Sequence, residues 1–214
     1  LVRSGDVIPH IMGVLTPADE AKMPPIDSYK WNSTNVDIMI IDAQDNEIVK
    51  EKNIIGFFTG MDVVGLGPGN VHRLMKAGFD SVPKILKMSE SDFLKVEGFK
   101  KKMSAKIYEG IREKLESVKL SKLMANTNIF GRGMGQRRIE AILKEYPDIL
   151  LSKEDPAAKT EKVLLLKGFA KKTAQDFVDY IPQFMEFMKE ADLMYKITNE
   201  QKEKDEKAID KSNP

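Results

Sequence analysis

Four glycine turns in this chain could hold an anion with main-chain groups alone. Two have the form apolar-Gly-x-Gly: Val64-Gly65-Leu66-Gly67 and Phe130-Gly131-Arg132-Gly133. Two have the form Gly-Phe: Val96-Glu97-Gly98-Phe99 and Leu166-Lys167-Gly168-Phe169. The two kinds alternate along the chain, and each recurs after 66 or 70 residues. A unit that returns in the same order is an internal duplication. Each turn runs into a helical pattern, so its free N–H groups lie at a helix start, where the dipole also favours negative charge. Glycine lets the chain turn with φ > 0 and keeps side chains out from between backbone and anion.

Basic residues follow three of the four turns. They are Lys100, Lys101 and Lys102 after the second, Arg132, Arg137 and Arg138 in and after the third, and Lys171 and Lys172 after the fourth. The first has only His72 and Arg73 just inside its helix. A single Gly-x-Gly before a helix is commonly a turn between packed helices, and a lysine run is commonly a solvated face. Phe99 and Phe169 read as core plugs under either reading. Four such turns in duplicated order, three with paired cations, favour a grip on sugar-phosphate backbone. Such contacts read no bases and give sequence-independent, salt-sensitive binding. The run Gly65-x-Gly67-x-Gly69 lacks the preceding strand and following acid of a dinucleotide fingerprint.

Composition agrees with a localised patch. Formal net charge is +1, yet residues 95–122 hold nine Lys/Arg against four Glu. There is no cysteine, which excludes disulfides and thiolate metal sites. No apolar run is long enough to span a membrane. The two histidines, His10 and His72, have no acidic or thiol cluster beside them. No catalytic triad, P-loop or nucleotidyl-transfer lysine motif is present, so no residue set is expected to make or break a covalent bond.

The elements that position the turns read as mainly α, with a small N-terminal β segment. Residues 1–15 read as two β-prone pieces and 16–35 as a Pro/Asp/Ser-rich loop. Val36–Ile41 reads as a strand, with Glu47-Ile48-Val49 pairing back through Asp45-Asn46 and with Tyr29 and Trp31 packed on that hairpin. From Lys52 onward the pattern is helical. Helices are expected at 53–60, 70–77, 82–88, 101–118, 119–126, 135–145, 148–151 and 159–166, the longest with Met103, Ile107, Ile111, Leu115 and Val118 on one face. Ser89 is expected to cap a further helix with Asp92 three residues on. A last amphipathic stretch, 171–195, should break at Pro182. Residues 198–214 hold one strong hydrophobe, Ile209, and read as a flexible linker.

Two helices joined by a tight glycine turn make a helix-hairpin-helix, and the sequence implies a tandem domain of four. At this point it resembles a known family, the bacterial-type NAD-dependent DNA ligases, over about residues 1–195. Leu1–Pro9 is similar to the V-x-R-A-G-D-V-I-P segment near the end of that family's OB-fold. Met61-Asp62-Val63-Val64-Gly65-Leu66-Gly67 is similar to M-D-I-x-G-L-G. Leu94-Lys95-Val96-Glu97-Gly98-Phe99, with Lys102, Ser104 and Ala105, is similar to L-x-x-L-E-G-F-G-x-K-S-A. Asn128–Gly135 is similar to L-G-I-x-x-V-G.

The resemblance implies an OB-fold end at 1–15, a cysteine-free replacement of the family's zinc finger at 16–52, a four-hairpin DNA-binding domain at 53–197 and a linker at 198–214. It places the end of a longer ligase here, without the adenylation domain that uses NAD, so neither NAD nor zinc is expected on this chain and it should not ligate alone. The expected partner is double-stranded, nicked DNA, met by a monomer with no membrane involved, in bacterial cytoplasm or a viral factory. The residues expected at the DNA are Arg3 on the OB segment, then Gly65, Leu66 and Gly67, then Gly98, Phe99, Lys100, Lys101 and Lys102. Gly131, Arg132, Gly133, Arg137 and Arg138 follow, and last Gly168, Ala170, Lys171 and Lys172. Lys100 and Ala170 stand where the family often has a second glycine, which predicts looser second and fourth turns. Two other readings stay open: a non-enzymatic scaffold of a repair or recombination complex, and a helical interaction module without nucleic acid.

Overall fold

The computed structural model describes residues 15, 16, 18–20, 23, 29–32, 34–41, 45–131 and 133–199. The OB-like segment with Arg3, the body of the expected linker, and Arg132 lie outside the described residues. The chain divides into two compact units, one on each side of the 43/44 boundary.

In the first unit, β1 (Tyr29–Trp31) pairs antiparallel with β2 (Ile38–Ile40), with Lys30 opposite Met39. The partner of the Val36–Ile41 segment is therefore upstream and not Glu47–Val49, and Tyr29 and Trp31 form the hairpin rather than pack on it. Asn32 closes the connection. Its Oδ1 accepts from Thr34 Oγ1 and the amides of Val36 and Asp37, and its Nδ2 donates to Asp37.

The second unit is helical. The first helix, α1 (Glu47–Gly60), begins where a strand was expected, because the Asn46 carboxamide accepts from the amides of Ile48 and Val49 and caps a helix instead of turning a hairpin. The expected boundary at 52 thus falls inside α1. There follow α2 (Pro68–Lys76), α3 (Val82–Leu86), α4 (Glu90–Lys95), α5 (Lys101–Ser117), α6 (Leu120–Asn126), α7 (Gln136–Glu145), α8 (Pro156–Leu164), α9 (Lys171–Asp179) and α10 (Ile181–Glu190). A helical stretch at 194–199 comes last. Pro182 does break the expected long helix, at Tyr180, by starting α10 with a proline in its first turn.

The helices pair as α1 with α2, α4 with α5, α6 with α7 and α8 with α9, giving four helix-hairpin-helix units. Between units, α1 also meets α6. The core is continuous and rich in Phe. Phe130 stacks on Phe177 at 5.0 Å and lies 5.4 Å from Phe184, while Phe57 meets Phe58 edge-on at 5.2 Å. Full burial of each such ring contributes about 1.5–3 kcal/mol.

The α1–α6 joint is close-packed at Gly60, where an added Cβ would overlap the Asn126 carboxamide. Asn126 Nδ2 is itself buried without a hydrogen-bond partner among the described residues. Gly60→Ala should destabilise by roughly 1–3 kcal/mol through overpacking. Adding Asn126→Ala should recover most of it, since the two sites share one space. Urea midpoints of the single and double variants measure this.

Helix α4 has the expected capping box, with Ser89 Oγ accepting from the Asp92 amide and Asp92 Oδ2 accepting from the Ser89 amide. The Lys95 ammonium at 2.7 Å, then the Ser89 hydroxyl and amide, hold the Asp92 carboxyl well below the usual carboxylate range. A depressed carboxylate contributes stability above the unfolded value, near 3.9, that is lost as pH falls through its folded value. Asp92→Asn should therefore be less stable than the parent at pH 7, and the gap should close as pH falls below about 4.

Candidate nucleic-acid interface

The four turns share one backbone plan. Gly65, Gly98, Gly133 and Gly168 all have positive φ, at 100°, 80°, 93° and 91°. The next residue, Leu66, Phe99, Met134 or Phe169, points inward, and the first three are buried. The residue after that is the N-cap of the second helix and is extended in every case: Gly67, Lys100, Gly135 and Ala170. In three turns the inward residue's amide closes the turn on the residue three back. These bonds are Phe99 to Val96 at 3.1 Å, Met134 to Gly131 at 3.4 Å and Phe169 to Leu166 at 3.3 Å. Glycine stands third in each of these turns, the position whose positive φ suits it.

That plan corrects the register read from sequence. The partner of Gly65 and Gly67 is the pair Gly133 and Gly135, not Gly131 and Gly133. Gly131 opens the turn at φ 75° and accepts from the Met134 amide. The true period is Gly-apolar at spacings of 33, 35 and 35 residues, a signal present in the chain but hidden by the more conspicuous Gly-x-Gly at 131–133. The second and fourth turns are not looser for lacking a second glycine. The N-cap position has φ near −77° to −106° in all four, a region open to any residue.

The second helices begin without a side-chain cap in all four hairpins. Three of the first helices, α1, α4 and α8, are capped by Asn46, Ser89 and Asp155. The amides of Gly65, Leu66, Gly67, Gly98, Lys100, Gly133, Gly135, Gly168 and Ala170 have no acceptor among the described residues. Gly67, Gly98, Gly133 and Gly168 are exposed, and Gly65 is partly so. The turns are therefore open, with free donors at uncapped helix starts, which is the chemistry of an anion site.

Side chains sort the expected residues further. Lys100, Lys101, Lys102, Arg137 and Lys171 are exposed and have no carboxylate partner among the described residues. Lys172 is exposed and only loosely paired, 3.5 Å from Asp176. Leu66 and Phe99 offer no side chain to a ligand. Phe99 is buried, stacks on Phe93 at 6.2 Å, and its amide is engaged within the turn, so it plugs the hairpin. Arg138 donates from Nη1 to the Gly133 carbonyl at 2.9 Å, so part of its role is internal.

Sequence reasoning missed Asn70, whose Nδ2 donates to the Gly65 carbonyl at 2.8 Å. Asn70 and Arg138 hold the same place, five residues after the turn glycine. Only the corrected register makes that equivalence visible.

Among the described residues no group of His, Cys, Asp and Glu could hold a metal ion, and no helix is long and apolar enough to cross a membrane.

The sequence pattern of the SAM-like helix-hairpin-helix tandem matches residues 61–113, from the first turn through most of α5. The chain is 38% identical to a DNA ligase of Acanthamoeba polyphaga mimivirus over 88% of its own length and 30% of that protein's. It is 29% identical to a DNA ligase of Desulfatibacillum aliphaticivorans over 81% of its own length and 27% of that protein's. The chain spans less than a third of the curated relatives it matches. No solved structure matches it. The repeated turns, the helix-hairpin-helix match and the extent of identity to the viral ligase agree, and together they support reading the chain as a helix-hairpin-helix region like that of DNA ligases.

Proposed function

We propose that this region grips nicked duplex DNA, as a monomer, for an NAD-dependent ligase that seals nicks in replication and repair. The observation that carries the reading is the fourfold repeat of one open turn, with unengaged amides at uncapped helix starts and free lysines beside them. An amide cluster and a helix dipole fit a phosphate oxygen, and the flanking ammonium groups fit its neighbours. Nothing in the turns is shaped to read base edges, so the grip is independent of sequence.

We assign no NAD to this region. Adenylate transfer needs a nucleophilic amine beside a nucleotide pocket, and the buried lysine, Lys159, has its ammonium on the Ser152 carbonyl at 2.8 Å. The covalent steps are therefore assigned to other parts of the whole enzyme, and this region's share is to bind and orient the duplex. No zinc is assigned either, since no group of His, Cys, Asp and Glu among the described residues could hold it.

Fluorescence anisotropy on nicked, intact and single-stranded oligonucleotides over a salt series tests the reading. Binding should favour duplex, ignore sequence, and weaken with salt at a log–log slope of about −0.9 per phosphate contacted. Binding that is indifferent to salt, or absent, sinks it.

A further inference from the structure

In each duplicated half, one arginine reaches from the first hairpin to the turn of the second. In the first half Asn70 Nδ2 donates to the Gly65 carbonyl at 2.8 Å, and Arg73 Nη1 donates to Asn70 Oδ1 at 3.0 Å. The same guanidinium lies against the second turn, where a Cβ on Gly98 would stand 3.4 Å from its central carbon. In the second half Arg138 Nη1 donates to the Gly133 carbonyl at 2.9 Å, and its guanidinium lies over the Phe169 ring at 5.9 Å. Phe169 directly follows the turn glycine of the fourth hairpin. Two different residues, at two different offsets, thus make the same bridge between neighbouring turns.

We propose that Arg73 and Arg138 are positioning residues that couple the hairpins in pairs, so that the first and second hairpins bind the duplex as one unit and the third and fourth as another. A guanidinium is planar, keeps its charge at any working pH, and offers five donors in a fixed fork. Here one Nη1 is engaged inside the first hairpin of each pair, and no carboxylate among the described residues pairs with either arginine. Its other donors stay available beside two phosphate-facing turns. The bridge fixes the distance between those turns before any ligand arrives, and both Arg73 and Arg138 are exposed on that side. Lysine would supply the charge but not the fork.

The proposal rests on the duplex-binding reading above and is tested by double-mutant cycles in the full 214-residue chain, by anisotropy on nicked duplex. In the parent, Lys101→Gln with Lys102→Gln should weaken binding about tenfold. In an Arg73→Gln background the same pair should cost threefold or less, because the second turn is no longer held to the first. Arg73→Lys should keep the parent's salt slope and yet show the same reduced coupling, which a purely electrostatic role would not produce, and it serves if Arg73→Gln lowers the melting temperature. The Lys171→Gln penalty should be insensitive to Arg73→Gln and should shrink with Arg138→Gln. Full tenfold penalties in the Arg73→Gln and Arg73→Lys backgrounds would overturn the coupling alone. Parent-like binding by the Lys101→Gln, Lys102→Gln variant in the unaltered background would bring down the duplex-binding reading, and the coupling with it.

Discussion

Gly168→Val should lower affinity for nicked duplex by roughly 10- to 100-fold while leaving a folded protein. Gly168 has φ 91°, and a Cβ built there meets nothing within 4 Å. Steric conflict with neighbours is therefore not the cause of the weaker binding, and the backbone is. A β-branched residue at such a φ is a strained outlier, at about 1–3 kcal/mol. The chain either keeps the turn at that cost or relaxes it, and relaxation swings the free amides of Gly168 and Ala170 off their common target. Each hydrogen bond to a phosphate oxygen that is broken in this way costs about 1.5–3 kcal/mol, the range for hydrogen bonds to charged groups. The control is Gly135→Ala. Gly135 is the N-cap at φ −80°, with open space around it, and the equivalent positions already carry Lys100 and Ala170. It should bind within about twofold of the parent. Anisotropy titration and thermal melts of the two variants separate a turn glycine from a cap glycine. Equal affinities for Gly168→Val and the parent, at equal melting temperatures, would remove the turn from the interface.

That contrast also shows where the sequence was legible and where it was not. Helices announced by their own chemistry stood out. The Ser89/Asp92 box, the apolar face of α5 and the break at Pro182 are local signals, and the structure places all three where the residues say. Glycine followed by an apolar plug is equally local, but Gly131-x-Gly133 imitates the motif two residues early. Only the backbone angles show that Gly133 is the turn and Gly135 the cap. Asp45-Asn46 failed for a related reason, because the same dipeptide that can turn a hairpin can also cap a helix, and burial of Ile54, Phe57 and Phe58 decided for the helix. Contacts that cross between hairpins, such as Arg73 against Gly98, depend on which units are neighbours. No spacing along the chain encodes that. The free lysines were visible, but their freedom was not. Lys101 and Lys102 have no carboxylate partner among the described residues, whereas Lys122 and Lys162 pair with Asp62 and Glu154.

The lysine-rich start of α5 gives the second large expected effect. Lys101→Glu with Lys102→Glu should weaken duplex binding by about 100-fold or more and make the log–log salt slope shallower by about two. Both side chains are exposed at the first turn of a helix whose N-cap, Lys100, offers no side-chain acceptor. As cations there they oppose the helix dipole, so they are badly placed for helix stability and well placed for an incoming anion. Glutamate at the same positions complements the dipole and should leave the fold as stable or slightly more so, by a few tenths of a kcal/mol. Affinity and stability thus move in opposite directions, which a variant that simply unfolds cannot imitate. Loss of the two cations accounts for about tenfold, as in the glutamine pair, and repulsion of the phosphates by the two new carboxylates adds roughly another 1.4 kcal/mol or more, which makes the hundredfold. Each phosphate no longer neutralised removes about 0.9 from the slope. Anisotropy from about 50 to 200 mM salt, with a melt for each variant, reads both quantities. A melting temperature that rises while affinity and slope stay at the parent's values would place these lysines on a solvated face away from the DNA.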